Sequence, residues 1–188
     1  MSLTLLVGPS CGVGKSTLCF YLKDTKEDIV IFKTNTTRKM RPEEKKLAEE
    51  KQQYHFRSRE EFEKLIEESK FFEYEVVTSE LYGVLKEDLR KAIKAKDKYI
   101  GVVDIRGAIN IKKAYPQVTT IFILPPSFEI AKERFLSRKG SSQEFIKARL
   151  KLAFEEEIHR QDETDYKVVN VVVEKAAEKI YDIMRKNS

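Results

Sequence analysis

Residues 8–17 of the chain have the sequence GPSCGVGKST, and this stretch decides the fold. An apolar run at 3–7 precedes it and a helical pattern over 15–22 follows it, so it joins a buried strand to a helix. Gly12 and Gly14 let the backbone curl so that amide hydrogens point inward. Together with the positive end of the helix dipole, these amides make a nest for phosphate oxygens. The stretch therefore predicts a phosphate-binding loop, in which Lys15 reaches the β- and γ-phosphates of a nucleotide and Ser16 ligates Mg²⁺.

The spacing of this loop differs from the usual pattern, which has about four residues between its first glycine and its Gly-Lys pair. Here one more residue separates Gly8 from Gly14. Either Pro9 occupies the position of the first glycine, or the loop carries an extra residue at Ser10-Cys11. The competing interpretation is a glycine-rich turn before a helix that begins with a lysine. The strand before the loop and the helix after it favour the phosphate-binding interpretation.

Apolar strands alternate with helices along the rest of the chain. Strands are predicted at 29–32, 71–78, 99–103, 119–124 and 166–169, and helices at 86–96, 108–114, 127–138 and 174–185. Ser-x-x-Glu capping boxes at Ser58 and Ser141 predict two further helices, the second running to about residue 161. This order predicts an α/β fold with a central parallel sheet flanked by helices. The polar stretches 34–82 and 134–160 do not fit such a core, and we expect function where they meet it.

Composition and charge narrow the class of protein. The 188 residues are 41% hydrophobic, which is enough for one domain with a sizeable core. Cys11 and Cys19 make neither a disulfide framework nor a zinc site, and residues 1–7 do not have the pattern of a signal peptide. No apolar run approaches the roughly 20 residues that cross a bilayer. We therefore expect a cytoplasmic protein with no membrane partner.

The charged residues, 36 basic and 31 acidic, give a net charge of +5. The two signs alternate closely along the chain, which is typical of a mixed, solvated surface. A nucleic-acid partner would need a contiguous basic stripe, and the sequence has none. We expect no nucleic acid as a partner.

Several motifs in register resemble the guanylate kinases, a family of nucleoside monophosphate kinases with a phosphate-binding loop. They are TTRKMR at 36–41, YHF at 54–56, SREEF at 58–62, FFEY at 71–74, LYG at 81–83, VDIRGA at 103–108, IFILPPS at 121–127 and VVN at 168–170. The resemblance extends over nearly the whole chain. It implies one domain at 1–188, with a core at 1–33, 85–126 and 161–188, an acceptor-nucleotide segment at 34–84 and a helical lid at 127–160.

The resemblance implies that the acceptor segment binds GMP. Arg38 and Arg41 would bind its phosphate, for which guanidinium forks are suited, and Tyr54 and Tyr82 would add phenolic donors. Glu73 matches the glutamate with which the family recognises the purine. A carboxylate accepts from both N1–H and the amine of guanine, whereas adenine presents an acceptor at N1. Two further residues are implied at the acceptor site, Thr34 and Asp104.

The resemblance also implies how the phosphoryl group is transferred. Arg134, Arg138 and Arg149 of the lid would close over it, and with Lys15 and Arg38 they are the expected catalytic residues. This chemistry needs positioned positive charge and excluded water more than covalent help. ATP, the co-substrate, would contact Gly12, Val13, Gly14, Lys15, Ser16, Thr17 and Asn170, the last near its adenine end. Mg²⁺ would be held by Ser16, with waters held by Asp104.

Asp104 follows the apolar strand 99–103, as does the acid that holds Mg²⁺ through water in enzymes of this loop class. An aspartate at a strand end is as often a turn former, so spacing alone leaves both interpretations open. The family's R-x-G-E-x-x-G-x-x-Y motif is altered, since residues 41–44 are RPEE and the stretch from Glu44 to Tyr54 is longer. Val102 and Val84 replace an acid and a hydroxyl of the acceptor site.

The sequence thus predicts an ATP-dependent kinase of GMP that acts in purine nucleotide metabolism. The departures from the family motifs leave two alternatives. One is a guanylate-kinase-like binding module without turnover, against which the retention of Lys15, Arg38 and Arg41 speaks. The other is a kinase of a different small phosphorylated acceptor. The sequence makes no prediction of oligomeric state.

Overall fold

Two β-sheets organise the chain in a computed structural model that describes residues 2–9, 12–77, 79–136 and 150–187. The strands are β1 (Ser2–Val7), β2 (Ile29–Phe32), β3 (Thr34–Thr36), β4 (Tyr54–Phe56), β5 (Phe71–Val77), β6 (Glu80–Leu85), β7 (Lys98–Val102), β8 (Thr119–Leu124) and β9 (Tyr166–Val169). The α-helices are α1 (Lys15–Thr25), α2 (Arg59–Glu67), α3 (Lys86–Lys94), α4 (Ile105–Ala114), α5 (Phe128–Leu136) and α6 (Val173–Lys186). Residues 150–155 are also helical, and 3₁₀ turns occupy Glu44–Lys46, Glu49–Lys51 and Glu157–Glu163.

The first sheet, which we call the core sheet, has five parallel strands in the order β2-β7-β1-β8-β9. Successive residues of β1 point to opposite faces, because side chains alternate along a strand. Leu6 packs in a buried cluster with Leu18 of α1 and Ile180 of α6, whereas Leu5 packs with Leu89 of α3 on the other face. Helices therefore cover both faces, as the alternating pattern predicted, and the α/β fold class is confirmed.

Because the strands of the core sheet are parallel, their carboxyl ends meet at one edge. The stretch that follows β1 contains Lys15, and the stretch that follows β7 contains Asp104. The segment that leads into α5 follows β8 at the same edge. This edge is where ligands bind in open α/β sheets, so the topology alone brings three predicted site segments together.

The second sheet, which we call the acceptor sheet, has four strands in the order β4-β3-β6-β5. The β3–β4 pair is parallel and the other pairs are antiparallel. Phe62 of α2 stacks on Phe71 with ring centroids 4.3 Å apart, in a buried cluster with Leu81 that covers one face of the sheet. The chain passes between the two sheets through Lys33 and through the junction of Leu85 and Lys86.

Some sequence predictions are confirmed in detail and others are corrected. The capping box of α2 is present, with Ser58 and Glu61 each bonding the other's backbone amide. The helix predicted to run to about residue 161 gives way instead to the 3₁₀ turn at Glu157–Glu163. The capping box at Ser141 and the predicted residues Arg138 and Arg149 lie outside the described residues. Within the described part of the chain, no helix combines the length and apolarity needed to span a bilayer.

Candidate active site

The phosphate-binding loop lies between β1 and α1, as predicted. Its glycines adopt positive φ angles, 132° at Gly8, 69° at Gly12 and 83° at Gly14, which curl the backbone. The ammonium of Lys15 donates to the carbonyl oxygens of Gly8 at 2.9 Å and Pro9 at 2.7 Å. These bonds hold one positive charge at the carboxyl edge of the core sheet, beside the N-terminus of α1, where anions bind.

The space and the backbone conformation at Gly8 are relevant to the irregular spacing of the loop. A Cβ at Gly8 would lie 2.5 Å from the carbonyl oxygen of Ile123 in β8, and the φ angle there is one that side chains rarely adopt. A side chain is therefore excluded where the loop leaves β1. This favours Gly8 as the first glycine of the motif. The extra residue predicted at 10–11 lies outside the described residues.

Asn170 connects the loop to α5. Its side chain is 1% exposed and donates through Nδ2 to the carbonyl of Val13 at 2.9 Å. Arg134 of α5 donates to the backbone carbonyl of Asn170 at 3.2 Å. The adenine contact of Asn170 stays a prediction. In the structure, the Asn170 side chain supports the loop through its bond to Val13. Arg134 is thus linked to the loop through Asn170. A residue that acts on the transferred phosphate has to lie near this loop.

The acceptor sheet presents the predicted GMP-binding residues on the face that α2 does not cover. Thr34 pairs with Tyr54 across β3 and β4, and Thr36 pairs with Tyr82 across β3 and β6. Glu73 pairs with Val84 across β5 and β6. Paired residues and residues two apart on a strand share a face, so these side chains point to one side. Val84, where the family has a hydroxyl, is 3% exposed and packs in an apolar cluster of the core.

Arg38 lies among the tyrosines of this face. Its guanidinium carbon is 5.3 Å from the centroid of the Tyr54 ring, and the Tyr54 and Tyr82 rings are 6.2 Å apart. Burial raises the pKa of Tyr54, with Tyr82 beside it, so its phenol stays neutral and keeps a proton to donate. The longer stretch before Tyr54 therefore does not remove it from Arg38. Arg41 is exposed.

Glu44 is a functional candidate that the sequence analysis did not assign. Its two oxygens accept both ends of the Arg38 fork, at 2.9 and 2.7 Å, and one of them also accepts the Arg41 amide at 2.7 Å. Burial alone would raise the pKa of Glu44, but the bonds from Arg38 and Arg41 outweigh it and lower the pKa. The arrangement fixes the guanidinium plane before any anion arrives. The available signal was the acid three residues after Arg41 in the altered family motif.

Replacing Glu44 tests this arrangement. The Arg38 and Glu44 side chains are only 15% and 16% exposed, so Glu44→Gln leaves a poorly hydrated charge on Arg38. We expect the free energy of unfolding to fall by about 1–2 kcal/mol. Because a bound phosphate dianion would restore a negative partner, GMP should raise the melting temperature more in this variant than in the wild type. Glu63→Gln, in the exposed pair with Arg59, is the matched control and should change neither quantity. Equal GMP-induced shifts in Glu44→Gln and wild type would contradict the prediction.

Glu73 lies in an acidic neighbourhood at the junction of the two sheets. Burial raises the pKa of Glu73 to about 7, and the nearby Asp104 and Glu75 carboxylates add to the effect. Arg106 binds Glu75 at 2.7 Å. Asp104 is the N-cap of α4, accepting from the Gly107 amide at 3.0 Å. Asp104 thus caps a helix through one carboxylate oxygen and lies beside Glu75 and Glu73, on the acceptor side of the edge, while its role toward Mg²⁺ stays a prediction.

The residues present suit a magnesium ion that is held mainly by a nucleotide. Ser16 is the second residue of α1, next to Lys15, and offers one hydroxyl oxygen beside the loop. Mg²⁺ prefers oxygen ligands, keeps several waters and is bound through substrate phosphates, so one protein hydroxyl fits this chemistry. Val102 packs against the apolar cluster on the α1 side of the core sheet and offers no oxygen from its side chain.

Comparison with known proteins gives a consistent result. The family model described as guanylate kinase matches residues 1–187. The guanylate kinase of Caldanaerobacter subterraneus subsp. tengcongensis is 36% identical over 182 residues, which cover 97% of this chain and 85% of that protein. The guanylate kinase of Pseudomonas fluorescens is 37% identical over 169 residues, covering 90% of this chain and 79% of that protein. The crystal structure of guanylate kinase from Anaplasma phagocytophilum has a TM-score of 0.73 at 29% identity, covering 98% of this chain and 85% of that one.

Proposed function

Since the chain belongs to the guanylate kinase family, which makes it an ATP-dependent kinase of GMP, we propose that Lys15, Arg38 and Glu73 are the side chains on which this reaction mainly depends. The carrying observation is their placement. Lys15 lies on the donor loop at the edge of the core sheet, whereas Glu73 lies in β5 of the acceptor sheet and Arg38 follows β3 and lies near the Tyr54 ring. A phosphotransferase needs two such sites facing each other, one for each nucleotide.

On the donor side, the loop amides and Lys15 would bind the β- and γ-phosphates of ATP. The positive charge of Lys15, which Gly8 and Pro9 hold in place, would stabilise the negative charge that develops as the phosphoryl group leaves ADP. Arg134 would add charge from α5, and we propose the same for Arg138 and Arg149 on the basis of the family motif. The family's chemistry uses a divalent metal, and we propose Mg²⁺ at Ser16, with waters held by Asp104. Bound there, it would neutralise phosphate charge.

On the acceptor side, the N–H groups of Arg38 that do not bond Glu44, with the phenols of Tyr54 and Tyr82, would hold the GMP phosphate as the nucleophile. Arg41 would complete the site. Glu73 would accept from N1–H and the amine of guanine, while Thr34 lies on the same face of the sheet. We propose that 34–84 and 127–160 close over the core 1–33, 85–126 and 161–188. Closure excludes water and brings the guanidinium groups to the phosphoryl group. We also propose a cytoplasmic location, where both nucleotides are available.

The test is a coupled ADP-release assay with Mg-ATP and a panel of GMP, dGMP, AMP, UMP and CMP. We expect turnover with GMP, weaker turnover with dGMP and little with the others. Binding of GMP without ADP release would favour a binding module without turnover. The presence of Lys15 and Arg38 speaks against that alternative. Turnover of another acceptor in preference to GMP would reject guanine as the recognised base.

The raised pKa of Glu73 predicts a proton linked to acceptor binding. Guanine needs the carboxylate form of Glu73, so the binding of guanine lowers the pKa of Glu73. Near pH 7, the molecules in which Glu73 is protonated therefore release this proton when GMP binds. The affinity for GMP should therefore rise with pH and level off above 7. Calorimetric titration near pH 7 in two buffers of different ionisation enthalpy should show about half a proton released, and almost none near pH 8.5. Glu73→Gln gives the baseline, because the GMP phosphate also titrates. The same proton release in that variant would contradict the assignment.

A further inference from the structure

The carboxylate of Glu73 is held from one side by the first turns of α4. Oε2 accepts from Nδ2 of Asn110 at 3.1 Å. Oε1 lies directly over Gly107, where a Cβ would be 2.0 Å away. The helix therefore fixes one oxygen through an amide donor and makes room for the other through the absence of a side chain.

Asn110 is mounted on a well-anchored helix. Asp104 caps α4, and Ile105, Ala108 and Ile111 bury its inner face in the core. The family motif in this region ends at Ala108, so the sequence analysis assigned no role to Asn110. A donor on such a rigid element holds its partner better than one on a loop.

The groups around Glu73 act on its ionisation in both directions. Asp104 and Glu75 disfavour its ionised form, whereas the Asn110 hydrogen bond and the Arg106 guanidinium favour it. Arg106 is itself bonded to Glu75. Burial and two neighbouring carboxylates disfavour the negative charge of Glu73. The hydrogen bond from Asn110 stabilises that charge.

We propose that Asn110 is a positioning residue for guanine recognition, whose amide holds the Glu73 carboxylate where the N1–H and amine of the base meet it. The inference rests on the proposed role of Glu73. A carboxylate oxygen has two lone pairs, so Oε2 keeps the bond from Asn110 while it accepts from guanine. This supporting donor is more valuable here because Val84 offers no hydroxyl beside Glu73.

The test compares Asn110→Leu, which is close in shape and has no donor, with the wild type in steady-state assays over pH. We expect the KM for GMP to rise about tenfold, with kcat within about twofold and the KM for ATP unchanged. The pH above which the KM for GMP becomes constant should move upward, since the charged form of Glu73 has lost a donor. Asn110→Asp should move it further, because it adds a like charge. Lys113→Leu, exposed on the same helix, is the control and should match the wild type.

A wild-type pH profile and KM for GMP in Asn110→Leu would overturn the proposal. A raised KM without any movement of the pH profile would also overturn it, because that pattern indicates a packing change alone. The wild type in the same assay separates the two levels of inference. If it forms no ADP with GMP, the proposed function itself is rejected.

Discussion

Lys15→Met should lower kcat for ADP formation by about 10²–10³-fold, which is the usual effect of removing one preorganised electrostatic group from a transition state. The Lys15 ammonium is fixed by the carbonyls of Gly8 and Pro9 before substrate arrives, so it needs no reorganisation as charge develops. Methionine has a similar reach and no charge. The measurement is kcat at saturating ATP and GMP, with thermal unfolding recorded to verify that the variant is folded.

Lys23→Met is the matched control for this substitution. Lys23 is on the same helix and also donates to a backbone carbonyl, that of Ile29 at 2.9 Å. It lies outside the loop, so its replacement should change stability by about 1 kcal/mol and leave kcat nearly unchanged. A kcat for Lys15→Met within tenfold of the wild type would contradict the role given to the loop.

Glu73→Gln should remove the preference for guanine. Glutamine replaces one acceptor by a donor, which opposes an N–H of guanine and complements the N1 acceptor and amine of adenine. We expect kcat/KM for GMP to fall by about 10³-fold and the GMP-to-AMP preference to fall by more, because sites that hydrogen-bond their substrate discriminate by about 10⁴–10⁵. The readout is kcat/KM for both acceptors in the same coupled assay, with kcat/KM for ATP as the internal reference.

Glu75→Gln is the same chemical change two residues away on the same face of β5. Glu75 is bonded to Arg106 and should not touch the base, so this variant should keep its guanine preference. Loss of preference in both variants would indicate a general effect of the acidic neighbourhood. Retained preference in Glu73→Gln would show that another group recognises the purine.

The sequence predicted those parts of the molecule that local patterns determine. Buried parallel strands are continuous apolar runs, so the core sheet and its helices followed from periodicity. The loop at Lys15 followed from glycine spacing between a strand and a helix. The acceptor sheet did not follow from local patterns. Its strands β3 and β4 are three residues long and include polar residues, whose strand conformation depends on pairing with neighbouring strands.

The sequence predicted the site residues that belong to a family motif. It did not predict those whose contacts arise only from the tertiary structure. Tyr54, Tyr82 and Glu73 share one face because of the strand register, which agrees with the family assignment. Glu44 and Asn110 gain their partners through turns and helices that the sequence alone does not place. The raised pKa of Glu73 likewise depends on burial and on two carboxylates brought close by folding.

The two connections between the sheets have a mechanical consequence. A body tethered through Lys33 at one place and through the Leu85–Lys86 junction at another has one easy rotation, about the line that joins the two tethers. Contacts between the acceptor sheet side and the core helices oppose that rotation: the Lys51–Asp24 ion pair at 2.5 Å reaches α1, and the bonds of Glu73 to Asn110 and of Glu75 to Arg106 reach α4. The hinge axis is thus set by covalent connectivity, and the resting angle is set by these polar contacts together with the packing of Val84 in the core.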